Sequence, residues 1–238
     1  MLSAVRIRLL TAVLASTLSF VGLACGGSTA GEAVLSQRPT AEDILVQASD
    51  AMSAASSFSF VMSHPSGTTS LPGGLFLTRA DGAVVSPDRL VVNAEANYGR
   101  VFVNVSGIVI GEKAYMTNFL TGAWSRVAPE DSPFAFLDPV SLVSDLITKV
   151  EAPRFGGDAG VAGATVITGT MPAKPFEALV GTVDETRTVA VRLTFDAETL
   201  LLKQVLIEGA LQVEDGPRAS RLVEFSMYGE NIAIEPPV

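Results

Sequence analysis

The chain has 238 residues, 48 % of them hydrophobic and 17 % charged, and a formal net charge of -9. That length holds one β-rich domain or two small ones. The acidic balance, with no basic cluster, argues against nucleic acid as a partner and against unaided adhesion to an anionic membrane. The single cysteine, Cys25, excludes an internal disulfide framework and a cysteine-based zinc site.

Residues 1–24 read as an export signal. Arg6 and Arg8 form a charged start, and Leu9 to Ala24 is apolar or small throughout. Cys25-Gly26-Gly27-Ser28 follows at once, as in a bacterial lipoprotein signal, where the thiol takes a diacylglyceryl group and becomes the new N-terminus. Gly22 stands three residues before the cysteine, where such signals usually place leucine, and Leu23 is one place late. The alternatives are an ordinary secretory signal or an uncleaved helix. Removing the leader leaves 14 basic against 25 acidic residues. One acyl chain binds a membrane only marginally, so a stable hold on so acidic a protein needs two or more chains on Cys25. Residues 25–39 are small, polar and aperiodic, a flexible tether to a domain at 40–238.

Thr40-Ala41-Glu42-Asp43 resembles a capping box, and Ile44, Leu45, Ala48, Ala51, Met52 and Ala55 follow at helical spacing. From Ser56 the period changes to two, with Phe58, Phe60 and Met62 on one face. A β-meander is expected from there to about residue 128. Leu75 and Leu77 mark a strand broken at Asp81-Gly82. Leu90, Val92, Ala94 and Ala96 form the next, Val101, Val103 and Val105 another, and Ile108 to Thr117 adds one more with Gly111 as a bulge or turn. Trp124, the only tryptophan, reads as a core or rim anchor. Asp138-Pro139 starts a helix whose apolar stripe is Leu142, Val143, Leu146, Ile147 and Val150. Either it lies flat on the sheet, or with Phe134-Ala135-Phe136 it closes one side of a cavity. The glycine-dense run from Gly156 to Gly163 lacks the spacing of a phosphate loop and reads as a turn. Thr165 to Thr170 is a short strand, and Pro172 to Val180 holds a short helix.

Arg187 to Val213 is the strongest pattern in the chain. Val189, Val191, Leu193 and Phe195 alternate with polar or small residues, as do Val205, Ile207, Leu211 and Val213, across a turn at Asp196-Ala197-Glu198-Thr199. This predicts a hairpin with one apolar face in a large curved antiparallel sheet. Val223, Phe225 and Met227 mark a last strand.

Catalytic chemistry finds little support. The only histidine, His64, precedes Pro65 and reads as a solvated turn residue, and no G-x-S-x-G elbow supplies a nucleophile. Glu130-Asp131, Asp184-Glu185 and Glu214-Asp215 are adjacent acids in polar loops and read as solvated surface. No metal ligand set and no cofactor is expected.

Several stretches in this order resemble one family: Ile44 to Phe60, Val85 to Leu90, Ile110-Gly111 with Tyr115 and Gly122-Ala123-Trp124, Leu137-Asp138-Pro139, Gly163 to Thr170, Leu200 to Gly209, and Phe225 to Gly229 with Ile234 to Pro237. They look like the LppX/LprG-type bacterial lipoproteins, over about residues 40–237. The resemblance implies an α+β fold: a curved antiparallel half-barrel with helices on its concave face, enclosing a hydrophobic cavity, similar in architecture to the lipoprotein carrier LolA. It implies a non-enzymatic lipoprotein on the extracytoplasmic face of the cell membrane. Its cargo would be an acylated lipid or lipoglycan, and a membrane transporter would be a further partner. The expected lining is Leu90, Val92, Val101, Val103, Val105, Leu142, Leu146, Val189, Val191, Leu193, Val205 and Ile207. The competing expectations are an envelope adaptor with a filled core and a protein partner, and a hydrolase of envelope material.

Overall fold

The computed structural model describes residues 38–128, 143, 146–157 and 163–237. Its first element is helix α1 (Ala41–Ser53), and the expected capping box starts it. The Asp43 amide donates to Thr40 Oγ1 at 3.1 Å, and the Thr40 amide donates to Asp43 Oδ2 at 2.9 Å. Two amides that the first turn cannot bond internally are thereby satisfied. Ile44, Leu45, Ala48 and Met52 are buried, as their helical spacing requires.

Twelve strands form one open, curved, antiparallel sheet, a half-barrel. They are β1 (Ser57–Ser66), β2 (Thr69–Leu71), β3 (Leu75–Val85), β4 (Arg89–Tyr98), β5 (Val101–Ile110), β6 (Lys113–Thr117), β7 (Trp124–Val127), β8 (Glu151–Phe155), β9 (Ala164–Pro172), β10 (Thr188–Asp196), β11 (Leu202–Glu208) and β12 (Ser220–Ser226). The order across the sheet is β7-β6-β5-β4-β3-β1-β12-β11-β10-β9-β8, and β2 pairs with β3. The first strand therefore lies between β3 and the last strand. A short 3₁₀ turn (Lys174–Phe176) and helix α2 (Glu177–Val180) follow β9. They bury Phe176, Leu179 and Val180, as Pro172 to Val180 led one to expect. All these elements and their shared core lie within residues 38–238, a compact unit of its own.

Four expectations need correction. β3 is not broken at Asp81-Gly82. Gly82 is a strand residue at which an added Cβ would lie 2.2 Å from the Val91 carbonyl oxygen and 2.8 Å from the Phe60 ring. Glycine here permits close approach and makes no turn. The second arm of the hairpin stops at Glu208, because Asp215 Oδ2 accepts from the amides of Leu211 (2.8 Å) and Gln212 (3.0 Å). Those amides are lost to any further ladder, so Leu211 turns inward and Val213 is left exposed. Met227 lies beyond β12 with φ 54°. The fourth is Ile108 to Thr117, which is not one added strand: Ile108 to Ile110 end β5, Gly111 turns with φ 57°, and Lys113–Thr117 form β6. The edge strand β8, mostly exposed, has no alternating pattern to reveal it.

The hairpin core is as anticipated, with Val191 opposite Ile207 and Leu193 opposite Val205. Asp196 Oδ1 accepts from the Glu198 and Thr199 amides at 3.1 and 3.0 Å, which fixes the turn.

Candidate functional site

The candidate site is the inner face of the sheet. Strand side chains alternate between faces, and paired residues on neighbouring strands share one. Leu90, Val92, Val103 and Val105 all point inward and are 1–4 % exposed. Val189, Val191, Leu193, Val205, Ile207 and Leu146 join the same apolar cluster, together with the buried stripe of α1. Val101 departs from the expectation. It opens β5 at the end of the ladder, beyond the last residues that pack inward, and is 58 % exposed. Leu142 and Cys25 lie outside the described residues, as do Glu130-Asp131, Phe134 to Phe136 and the start of the Asp138-Pro139 helix. Val143, Leu146 and Ile147, from the stripe of that helix, are helical and buried.

The inner face is uneven. Leu193, Phe195, Leu202, Val205 and Ile207 have no exposed surface, so protein atoms surround them on every side. The other half carries a row with two glycines, one of them, Gly82, covered by the Phe60 ring. The ladder places Phe60, Gly82, Val92, Gly107 and Met116 in one row across β1, β3, β4, β5 and β6. Two of the five are glycines. Phe60 and Met116, with nearby Val109, are half-buried and pack against the core without being sealed into it. Sequence reading missed this row, because Gly82 and Gly107 meet only through strand register.

A polar cluster closes one end of the sheet. Arg221 projects from the same face of β12 as Val223 and Phe225 and is fully buried. Its Nη2 donates to Asp215 Oδ1 and Oδ2 at 2.8 and 2.9 Å, and its Nε donates to Thr69 Oγ1 at 2.8 Å. Burial opposes ionisation of Asp215. The Arg221 guanidinium and the amides of Gln212 and Leu211 outweigh it and hold the carboxyl below its usual range. His64 is not the solvated turn residue expected. It lies in β1, half-buried, with Nδ1 2.9 Å from the Thr78 carbonyl and Nε2 2.8 Å from Thr69 Oγ1. Burial, aided by the Arg221 charge, lowers its pKa despite the Thr78 carbonyl. Gln212 bridges Ser70 on both its amide and carbonyl, and also donates to the Val180 carbonyl. Asp215 therefore also corrects the reading of Glu214-Asp215 as a solvated pair. Asp184 and Glu185 are surface groups, paired with Arg187 and Lys174.

Beside this cluster a cleft of about 350 Å³ opens between the β1–β2 connection and residues 214–219. Its lining is mixed, with Ser66, Thr68, Ser70, Glu214 and Asp215 beside Phe76. Among the described residues no group of three histidine, cysteine or acidic side chains could hold a metal ion. No described helix is long and apolar enough to cross a membrane. The arrangement offers apolar burial, and its charged groups serve to close one end of the fold.

The model of the LppX_LprAFG lipoprotein family matches residues 40–234. Among solved structures the chain is similar to LprF from Mycobacterium bovis, at 18 % identity and a TM-score of 0.61, covering 83 % of this chain and 96 % of that one. It is likewise similar to the lipoprotein LppX of Mycobacterium tuberculosis, at 20 % identity and a TM-score of 0.57, covering 82 % and 98 %. A LolA superfamily protein from Nitrosomonas europaea aligns with a TM-score of only 0.27. No curated protein matches the sequence.

Proposed function

The chain belongs to the LppX_LprAFG lipoprotein family, and from that premise we propose that it is a membrane-anchored, non-enzymatic carrier. It binds acylated lipids or lipoglycans against the inner face of its sheet and moves them across the cell envelope. The observation that carries this reading is the inner face itself: a curved surface lined by apolar side chains such as Leu90, Val92, Val103 and Val105. At about 0.8 kcal/mol per methylene, a chain of about sixteen carbons costs on the order of 12 kcal/mol to expose to water. A carrier has to supply dry surface of similar worth. Acyl tails lie along this face, over Val92 and Val105 and beside the half-buried Phe60 and Met116. The tightly filled β10–β11 side serves as the rigid wall. Cys25 holds the protein on the extracytoplasmic face, and residues 25–39 give the domain reach.

The test is lipid extraction from the purified unit 38–238 under denaturing conditions, followed by mass spectrometry. Acylated lipid in stoichiometric amount is the expected result. A second reading is favoured by the absence of exposed surface at Leu193, Val205 and Ile207: an envelope adaptor with a filled core and a protein partner. Protein that carries no lipid and takes up none from vesicles would decide for that reading.

A further inference from the structure

β2 is only three residues long and pairs with β3 alone, so its place depends on side chains. Thr69, its first residue, has no exposed surface. Thr69 Oγ1 lies 2.8 Å from His64 Nε2 and accepts from Arg221 Nε at 2.8 Å. Ser70 is tied through its amide (2.8 Å) and its carbonyl (2.9 Å) to the Gln212 side chain. Gln212 stands in the turn that Asp215 holds through the amides of Leu211 and Gln212. β2 and residues 211–219 are thus clasped together, and His64 of β1 and Arg221 of β12 fasten the clasp to the sheet.

The hydrogens of this network follow from its partners. The Thr78 carbonyl can only accept, so His64 Nδ1, 2.9 Å away, carries the ring proton. Thr69 Oγ1 already accepts from Arg221, so its own hydrogen is directed to His64 Nε2, which must be bare. The geometry therefore selects the neutral imidazole, as its Nδ1–H tautomer. A second proton, on Nε2, would oppose the Thr69 hydroxyl hydrogen and set a new cation beside Arg221. The hydroxyl would have to turn its hydrogen away, and two cations would then face one oxygen. Asp215 is the carboxylate that acts on the ring, and Arg221 already takes both its oxygens. β2 holds no titratable residue. Arg79 of β3 pairs with Ser63 and Glu224 of β12 with Val61, both on the opposite face of β1 from His64. Burial is the main resistance to the added proton and the Arg221 charge supports it, against the Thr78 carbonyl and Asp215.

We propose that His64 is a proton-operated latch on this corner of the fold. Neutral, it holds the Thr69 hydroxyl and fastens the clasp. Protonated, it releases β2 and residues 211–219 while the rest of the sheet stands. Leu71 of β2 and Leu211 belong to the main apolar core, so release opens one end of the inner face. The proposal does not depend on what that face carries. It differs from a general loss of stability in acid, because the opening is local.

His64 is the only histidine, so a single imidazole signal reports its titration. In the unit 38–238, checked for folding by circular dichroism, NMR should show the Nδ1–H tautomer at about pH 8. The signal should titrate below the ordinary value of 6.5. Amide exchange, corrected for its intrinsic pH dependence, is measured on the same samples. As the imidazole takes up its proton, the Ser70, Leu211 and Gln212 amides should lose protection by about tenfold or more, while those of Val191 and Leu193 in β10 keep theirs. Asp215 stays ionised over this range and does not share the transition. His64→Gln cannot take up the proton, and its Ser70, Leu211 and Gln212 amides should be equally protected at both ends of the range. An imidazole that never titrates in the folded protein, or that titrates while those amides stay protected, overturns the proposal. So does a loss of protection that β10 shares, or one that persists in folded His64→Gln. The parent protein alone decides all but the last of these, so the test stands even where the variant fails to fold.

Discussion

Arg221 and Asp215 show what a buried charge pair does in this fold. Both side chains are at least 96 % buried, with 1 % and 4 % exposure, and each is the other's main compensation. Among the described residues Arg221 Nη1 has no partner, so the guanidinium depends on the contacts made through Nη2 and Nε. Asp215→Ala removes the counter-charge and also frees the Leu211 and Gln212 amides. Denaturant unfolding should show a loss of about 3–5 kcal/mol. The same groups set the acid response. Asp215 has its pKa lowered in the folded state, so its contribution is complete above the unfolded value of about 3.9 and is lost as pH falls through the folded value. His64 is also lowered, so the unfolded chain takes up its proton first, near pH 6.5, and stability begins to fall there on acidification. Stability measured against pH should therefore decline in two steps, and His64→Gln should remove the upper one. An upper step that persists in that variant would show that another group causes it.

At the level of elements, α1 and β5 make separable predictions. The α1 cap is exposed to solvent, so Thr40→Ala should cost about 1 kcal/mol of stability and leave lipid stoichiometry unchanged. Gly107 is buried in the middle of β5, between Val92 and Met116 on the adjoining strands. A β-branched residue suits the strand backbone there and adds side-chain volume to the inner face. Gly107→Val should therefore keep the circular dichroism of the parent while lowering the lipid recovered by mass spectrometry to roughly half or less, since apolar space lost is burial lost. Undiminished lipid in the folded variant would place the cargo elsewhere. Gly82 serves no such test: its missing Cβ is needed for the approach of β4, and an alanine there would meet backbone.

For the whole molecule the proposed anchor at Cys25 makes the prediction. With two or more acyl chains on Cys25 the protein should fractionate with membranes and resist extraction by salt. Cys25→Ala should move it to the soluble fraction or leave it in the precursor form, read by immunoblot of separated fractions. A variant that remains as firmly bound, at the mature mass, would remove the anchor from the account.

Much of this architecture is legible before folding. The box at Thr40, the alternation of Val189 to Phe195 and the turn at Asp196 each depend on contacts close in sequence, and each is present as read. The sequence by itself therefore determined the element types, the apolar faces and membership of the family. Tertiary structure alone decided where β11 ends, because Asp215 captures amides that alternation had assigned to a strand. It alone brought His64, Thr69, Asp215 and Arg221 into one buried cluster. It also set Gly82 and Gly107 in one row across the ladder and brought the rings of Tyr98 and Phe119 within 5.8 Å. The physical reason is the same in each case. Local propensity acts through the backbone over a few residues, whereas strand register joins residues far apart in the chain, and a shift of one residue would turn each of them to the opposite face.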